Sequence, residues 1–168
     1  MANDFSTQNP VNNVIDIDLS VTSKKRFRID KNNDRILELN VSDMNIVQRI
    51  SETYPKLTAL QEKASKVMEG INPSADDPTD VVMKDATTIS ERLKEIDTEM
   101  RRLLDYMFDS NVSEVTAPDG SMYDPFNGSF RFEHIITVLM KQYEENLQAE
   151  FGKMEKQLKK HTEKYTRK

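Results

Sequence analysis

The sequence contains no cysteine and no tryptophan, and only four of its 168 residues are glycine. A chain without cysteine cannot form a disulfide, a thiol nucleophile or a Cys-ligated zinc site, and it is compatible with the cytosol. Four scattered glycines cannot build a glycine-rich phosphate loop. These absences exclude several common catalytic and cofactor-binding arrangements.

Basic charge and long apolar runs are also scarce. The net charge is −5, which disfavours nucleic acid as a partner because phosphate binding needs a dense basic surface. The longest apolar run is IITVLM, far below the roughly 20 residues that a membrane span needs. The N-terminal residues MANDFSTQNP are polar and acidic, unlike a signal peptide. We therefore predict a cytosolic protein that binds neither nucleic acid nor membrane.

The chain is instead rich in charge, methionine and helical periodicity. Charged residues make up 32% of it and hydrophobic residues 36%, and the mean hydropathy is −0.71. So few apolar residues can form a core only if they are arranged as stripes on long helices. Nine methionines suit adaptable packing surfaces. We predict an α+β fold, with a small N-terminal antiparallel β-meander packed on a mainly helical body of three to four helices, the last one long.

Three alternating segments predict the meander. Residues 14–21 (VIDIDLSV), 26–30 (RFRID) and 35–41 (RILELNV) alternate apolar and polar side chains, and KNND separates the last two. A period of two is typical of half-buried strands, and the short turn is typical of a hairpin. Because a sheet this small is not stable alone, we expect a helix on its apolar face.

The first predicted helix begins at Ser42 or Asp43, both good N-caps. Pro55 lies within its apolar pattern, and a proline removes a helical donor and clashes with the preceding turn. We therefore expect a kink or break near Thr53–Tyr54, and an end at Gly70. The apolar stripe of this helix consists of Val47, Ile50, Tyr54, Leu57, Leu60, Ala64, Val67 and Ile71.

The second predicted helix has the clearest pattern in the chain. Its apolar residues recur at alternating steps of four and three over more than three heptads, which is typical of a helix that pairs with another helix. The partner helix can belong to the same chain or to another one. A loop follows, with a short strand at Val112–Val115 and an Asp-Gly turn. The heptad residues are Val82, Ala86, Ile89, Leu93, Ile96, Met100, Leu103 and Met107.

An aromatic stretch, YDPFNGSFRFEHI, introduces the last helix. Its Asn127-Gly128 pair predicts a turn with positive φ, and Ser129 is a candidate N-cap. We interpret the phenylalanines of this stretch as a wedge that fixes the last helix against the heptad helix. The wedge residues are Phe126, Phe130 and Phe132.

The last helix is predicted to start between Phe130 and Glu133 and to run to about Tyr165, a length of roughly 50 Å. Its apolar density falls after Leu158, so its last turns either protrude or wait for a partner. The stripe consists of Ile136, Met140, Tyr143, Leu147, Phe151, Met154, Leu158 and Tyr165.

No candidate chemical motif is complete. Asp30–Asp34 resembles the start of a calcium loop, but the required glycine and glutamate are missing, and a hairpin turn explains these residues better. His134 and His161 would lie roughly 40 Å apart on one helix, too far to share a metal. The acidic pairs Asp76-Asp77 and Glu144-Glu145 lie in a linker and on a solvated helix face, not in one pocket. We predict no catalytic residue, no metal, no cofactor and no enzymatic activity.

The predicted organisation is one domain behind a short tail. The Pro- and Asp-rich segment NPSADDPTD marks a linker between the first two helices. The predicted segments are a flexible tail (1–12) and a single α+β domain (13–168) that comprises the β-meander (13–41), a kinked helix (42–71), a linker (72–80), the heptad helix (81–108), an aromatic loop (109–129) and the long C-terminal helix (130–166).

The C-terminal half resembles a group of small proteins encoded by tailed phages and prophages of Gram-positive bacteria. The strings LDYMFDSNVSEV, DGSMYDPFNGSFRFEHIITVLMKQYEENL and KHTEKYTRK carry the resemblance, which covers about 60 residues well and the rest only in layout. None of these motifs is a catalytic signature. The matching residues are Leu104–Asp109, Tyr123–Phe126, Phe130–Phe132 and Lys164–Thr166.

The resemblance implies a tail-assembly chaperone in the host bacterial cytoplasm. Such chaperones bind the long, helical, aggregation-prone tape-measure protein, keep it soluble and help to recruit tail-tube protein around it. An acidic helical protein with an excess of apolar stripe fits that task. The residues that we predict to contact the partner are Leu147, Phe151, Met154, Leu158 and Tyr165.

Other functions are left open by the residue pattern. The stripes can pack only on each other and on the meander, or part of them can bind a helix of another protein. In a second function class, the chain is a structural virion subunit of the tail or connector, which forms a homo-oligomer through its heptad helix. In a third, it is a phage protein that binds a host factor.

Overall fold

The structure is a computed structural model and describes residues 24–69 and 81–166, with side chains for residues 24–69 and 86–160. The fold is α+β, as predicted: an N-terminal antiparallel hairpin precedes four helices, and the last helix is long. The predicted strand at 14–21 lies outside the described residues. The elements are β1 (Lys24–Arg28), β2 (Ile36–Asn40), α1 (Ile46–Glu69), α2 (Val81–Phe108), α3 (Val112–Thr116), β3 (Pro125–Phe126), β4 (Ser129–Phe130) and α4 (Arg131–Thr166).

The hairpin formed by β1 and β2 covers one side of the core. Phe27 lies opposite Leu37 in its antiparallel register. The residues that resembled a calcium loop form the connecting turn, where Asp30 and Lys31 have φ of 52° and 58°. The Asp30 carboxylate accepts a hydrogen bond from Arg35 Nη1 at 2.7 Å, so it is used within the turn. The buried side chains of β2 and the residue after it are Leu37, Leu39 and Val41.

α1 is continuous across Pro55, so of the predicted kink or break near Thr53–Tyr54 the break is wrong. Proline at this position leaves the carbonyl of Ser51 without its helical donor. Both Ser51 and Pro55 lie on the exposed face of α1, where water can take the place of that donor.

The buried face of α1 differs from the predicted stripe at two positions, each by one residue. Val47 and Tyr54 are exposed, while Ile46 and Thr53 are buried in their place. Thr53 can be buried because its hydroxyl donates a hydrogen bond to the Arg49 carbonyl oxygen at 2.5 Å. The resulting face runs through positions 46, 50, 53, 57, 60 and 64, which alternate steps of four and three.

α1 supplies the partner helix that the heptad pattern of α2 requires. The start of α1 lies beside the end of α2, because Arg49 Nε donates to the Met107 carbonyl oxygen at 2.8 Å and the Tyr106 hydroxyl to Glu52 at 3.2 Å. The two helices are therefore antiparallel and pair within one chain. The side chains of α2 that this packing and the rest of the core bury are Met100, Leu103, Leu104, Met107 and Phe108.

The segment after α2 is helical, so the predicted strand at Val112–Val115 is wrong. α2 ends with Asp109 in the left-handed region, at a φ of 49°, and the Ser110 N–H donates to the Asp105 carbonyl oxygen at 3.2 Å. The Asp105 carboxylate then accepts hydrogen bonds from the backbone N–H and the hydroxyl of Ser113, at 2.7 and 2.9 Å. Asp105 thus satisfies donors of the first turn of α3, which a strand would leave unpaired.

The aromatic stretch forms a two-residue hairpin and then α4. Asn127 and Gly128 have φ of 49° and 81°, so the predicted turn with positive φ is confirmed. Ser129 does not act as the N-cap, because its hydroxyl donates to the carbonyl oxygens of Phe126 and Phe130. The first turn of α4 is closed instead by Glu133, which accepts a hydrogen bond from the Phe130 N–H at 3.1 Å.

A single cluster of buried apolar side chains joins the hairpin and all four helices. Within the described part of the chain, no helix is long and apolar enough to cross a bilayer. The cluster consists of Leu37, Leu39, Val41, Ile46, Leu57, Met100, Leu103, Leu104, Met107, Phe108, Val112, Ala117, Met122, Phe132, Ile135, Ile136, Leu139 and Tyr143.

Candidate partner-binding surface

α4 changes its environment partway along its length of 36 residues. At a rise of 1.5 Å per residue, the helix is about 54 Å long. Its N-terminal half packs into the core, and in its C-terminal half all side chains from Lys153 to Lys160 are exposed. The buried residues of the N-terminal half are Phe132, Ile135, Ile136, Leu139, Tyr143 and Asn146.

Two polar residues mark the last buried turn of α4. Asn146 Nδ2 donates to the Val41 carbonyl oxygen at 3.3 Å and to the Ser42 hydroxyl at 3.1 Å, which ties α4 to the segment between β2 and α1. The Tyr143 ring packs against Phe108, with 6.0 Å between the ring centroids. Its buried hydroxyl has no hydrogen-bond partner within the described residues, and burial raises the pKa of Tyr143 to about 12.

C-terminal to Asn146, α4 carries an exposed apolar stripe. Phe151, Met154 and Leu158 are 55%, 55% and 65% exposed. Steps of three and four residues place them on one face of the helix. We call residues 151–166 the arm, and these three residues the arm stripe. They are three of the five residues predicted to contact a partner.

The other two predicted contact residues lie at the two ends of the arm stripe. Leu147 is half-buried at the junction with the body. Tyr165 belongs to α4, but its side chain lies outside the described residues. The heptad spacing continues from Leu147 through the arm stripe to Tyr165, so all five positions share one face of the helix.

Polar residues of the arm pair with neighbours on the same helix. Glu150 and Lys153 form an ion pair at 2.7 Å, and Glu155 and Lys159 form another at 3.1 Å. Every side chain from Lys153 to Lys160 is exposed. Ion pairs at spacings of three and four add modest stability to an exposed helix. These ion pairs thus help the arm to stay helical although its side chains are exposed.

The predicted aromatic wedge holds only in part. Phe132 is completely buried in the core, and Phe130 stacks on it at the margin, with 6.4 Å between the ring centroids. Phe126 is 38% exposed and lies against His134, outside the core. It cannot reach the core because it belongs to the short surface hairpin of β3 and β4. A wedge of three rings is therefore wrong, and Phe132 is the residue that fixes the start of α4.

Charged residues of α2 hold the loop between α3 and the β3–β4 hairpin, which precedes α4. The sequence patterns did not indicate these residues. Arg101 donates to Asp97 at 2.6 Å and to the carbonyl oxygens of Ala117 and Gly120. The other oxygen of Asp97 accepts from the Met122 N–H at 2.6 Å. The hairpin that precedes α4 begins three residues after Met122, and the Phe132 N–H donates to the Met122 carbonyl oxygen at 3.0 Å, so these bonds position the first turn of α4. The signal in the sequence was the spacing of four between Asp97, Arg101 and Asp105, which places them on one helix face.

A cleft of about 590 Å³ lies between the β1–β2 turn, the loop after α3 and the start of α4. Arg35 donates to the carbonyl oxygens at the end of α3, at 2.8 and 2.7 Å. Arg131 lies over the Phe126 ring and beside Asp124, at 3.4 Å from its carboxylate. Arg35 is thus engaged by the chain itself, whereas the buried Nε of Arg131 has no hydrogen-bond partner within the described residues. Within the described residues, no three metal-ligating side chains come together.

Within the described residues, the arm stripe is an exposed apolar surface along one face of a helix. No protein-family model, no curated protein and no solved structure matches this chain.

Proposed function

We propose that this chain is a binding protein, and not an enzyme, that covers an apolar helical segment of another protein with its arm. The observation that carries the proposal is the exposure of Phe151, Met154 and Leu158 along one face of an extended helix. Side chains of this size are usually buried, and several on one helix face mark an interaction surface. The partner that fits such a face is an amphipathic helix, which packs its own apolar residues between them.

The resemblance of the C-terminal half to phage tail proteins names a partner of this kind. We propose that the chain is a tail-assembly chaperone in the host bacterial cytoplasm and that the arm binds the tape-measure protein, with tail-tube protein as a second partner. A tape-measure protein is long, helical and prone to aggregate before the tail encloses it. Reversible cover by a short apolar stripe would keep it soluble and still allow its release.

Packing of α2 gives less support to a virion subunit that self-associates through the heptad helix. Met100, Leu103 and Met107 are already buried within the chain. The same residues cannot also form an interface between subunits unless α1 moves away. Mass spectrometry of purified virions separates the two functions, since a chaperone is absent from mature particles and a structural subunit is present.

Substitution of the arm stripe tests the proposal. The double variant Phe151→Asp, Leu158→Asp places two carboxylates on the apolar face, so it should fail to co-purify with the tape-measure protein. The control variant, Ala149→Asp with Lys156→Gln, makes the same change of net charge at the same spacing on the opposite face. Both of its positions are exposed. The control should retain the partner, and retention by the arm-stripe variant at normal yield would overturn the proposal.

A further inference from the structure

We propose that, when no partner is bound, the arm pairs antiparallel with the arm of a second copy of this chain. The inference rests on the same arm stripe as the proposed function, but it concerns the purified chain alone. A binding surface that must remain available needs a temporary cover, because exposed apolar stripes otherwise associate without order. A second arm would provide that cover, and the partner helix would displace it.

The spacing of the stripe suits an antiparallel pair. Positions 147, 151, 154, 158, 161 and 165 follow the a and d sites of a heptad repeat, with steps of four and three. In an antiparallel pair, a sites face d sites. We place the two-fold axis of the pair at position 156. In this register, every a or d site of one arm faces a d or a site of the other arm. The facing positions are 147 with 165, 151 with 161, and 154 with 158.

Charge along α4 favours the antiparallel orientation. Residues 144–155 contain four glutamates and one lysine, a net charge of −3. Residues 156–166 contain four lysines and one glutamate, a net charge of +3. An antiparallel pair places each acidic segment beside the basic segment of the other copy. A parallel pair would place like charges side by side, which costs free energy.

The length of the arm fits the same arrangement. In this register, position 166, where α4 ends, faces position 146 of the other copy. Among the side chains that the structure describes, Asn146 is the last one of α4 that is buried in the body. The overlap of the two arms therefore ends where the body of the other copy begins. Such a short overlap buries less than about 1,200 Å², which is typical of weak and reversible association.

Sedimentation equilibrium of the purified chain tests the association. The wild-type chain should show a monomer–dimer equilibrium. The Phe151→Asp, Leu158→Asp variant should weaken the dimer by more than about tenfold in Kd, because four of the six layers of the pair then contain a carboxylate. Its circular dichroism should show that it remains folded. A wild-type chain that stays monomeric at all concentrations, or a dimer that the variant does not weaken, would overturn the proposal.

Introduced cysteines test the orientation, and the absence of natural cysteine makes the assay clean. Gln157→Cys places a thiol beside the centre of the antiparallel pair, so a short bismaleimide should cross-link two copies. Gln148→Cys is the matched control, since its two copies would lie about 24 Å apart along the pair. Efficient cross-linking of Gln148→Cys would show a parallel pair and would contradict the proposal.

A charge exchange tests the register. Glu150 and Lys164 occupy flanking positions that face each other across the pair. Glu150→Lys alone should weaken the dimer, and Glu150→Lys with Lys164→Glu should restore it. Absence of restoration would reject this register. Because none of these measurements contains the tape-measure protein, their failure leaves the proposed function standing, and a dimer that captures no partner would reject the proposed function alone.

Discussion

Phe132 and Phe151 belong to the same helix, yet Phe132 is completely buried and Phe151 is 55% exposed. The apolar stripe of α4 runs through both halves of the helix, with one step of four where a heptad has three, so both halves carry apolar residues that a neighbour could bury. Phe132 and Phe151 differ in the elements that pack against their part of α4. The N-terminal half faces the hairpin, α2 and the loop anchored by Arg101, whereas the C-terminal half extends past them. Burial in α4 is thus a property of the neighbouring elements.

Truncation of the two phenylalanines gives the largest expected contrast between the halves. Phe132→Ala should lower the free energy of unfolding by about 3–5 kcal/mol, because it removes a ring from the centre of the core. At protein concentrations where the chain is monomeric, Phe151→Ala should change it by less than about 0.5 kcal/mol, because the ring is mostly in water. Urea denaturation of both variants checks this. Similar losses from the two substitutions would show that the arm packs on the body.

The polar anchor at the end of the buried half should have the next largest effect. Asn146→Ala removes the hydrogen bonds to the Val41 carbonyl oxygen and the Ser42 hydroxyl, and we expect a loss of about 1–3 kcal/mol. Alanine is the better helix former, so a net loss can only reflect the missing bonds. Gln148→Ala, at an exposed position of the same helix, is the control and should be nearly neutral. Chemical denaturation of the two variants should separate them clearly.

Titration of Tyr143 should make the buried half sensitive to alkaline pH. Its folded pKa of about 12 lies above the ordinary value of 10, so the fold favours the neutral phenol. The stabilisation is therefore complete below pH 10 and is lost as the pH rises through about 12. Relative to Tyr143→Phe, wild type should lose roughly 1–2 kcal/mol over this range. Tyr106→Phe, at an exposed tyrosine, should follow wild type, and equal profiles for all three proteins would contradict the assignment.

A glycine at the start of the arm should give the smallest effect. Gly152 lies within α4, and a Cβ added there would meet open space. Gly152→Ala should therefore stabilise the arm by about 0.5–1 kcal/mol, since glycine loses more backbone entropy in a helix. Hydrogen exchange should show slower exchange in the arm and unchanged exchange around Phe132. A slowed exchange in the body would mean that the two halves unfold together.

Helical periodicity predicted the elements better than it predicted their buried faces. The heptad of α2 marked a helix with the bounds that the structure has, because its regular spacing allows no other element. On α1 the prediction placed Val47 and Tyr54 on the buried face, where the structure has Ile46 and Thr53. The burial of Thr53 depends on its bond to the Arg49 carbonyl, which no hydropathy pattern encodes. A buried face is predicted wrongly in this way wherever a polar residue can be buried because its side chain bonds to the backbone of its own helix.

Contacts between distant segments were beyond the reach of the sequence. Arg101 binds carbonyl oxygens 16 and 19 residues later, and Asn146 binds a carbonyl oxygen 105 residues earlier. These residues looked like ordinary polar positions on helices. The arm residues, in contrast, could be selected from the excess of apolar stripe on the long last helix. Their exposure still needed the structure, since only the fold determines where the body ends.

The most direct test of the arm as a partner surface is the solubility of the tape-measure protein when it is co-expressed with this chain. Wild type should keep it in the soluble fraction. The Phe151→Asp, Leu158→Asp variant should have the same melting temperature as wild type, so it remains folded. It should nevertheless leave the tape-measure protein insoluble. The account would be contradicted if that folded variant kept the tape-measure protein as soluble as wild type does.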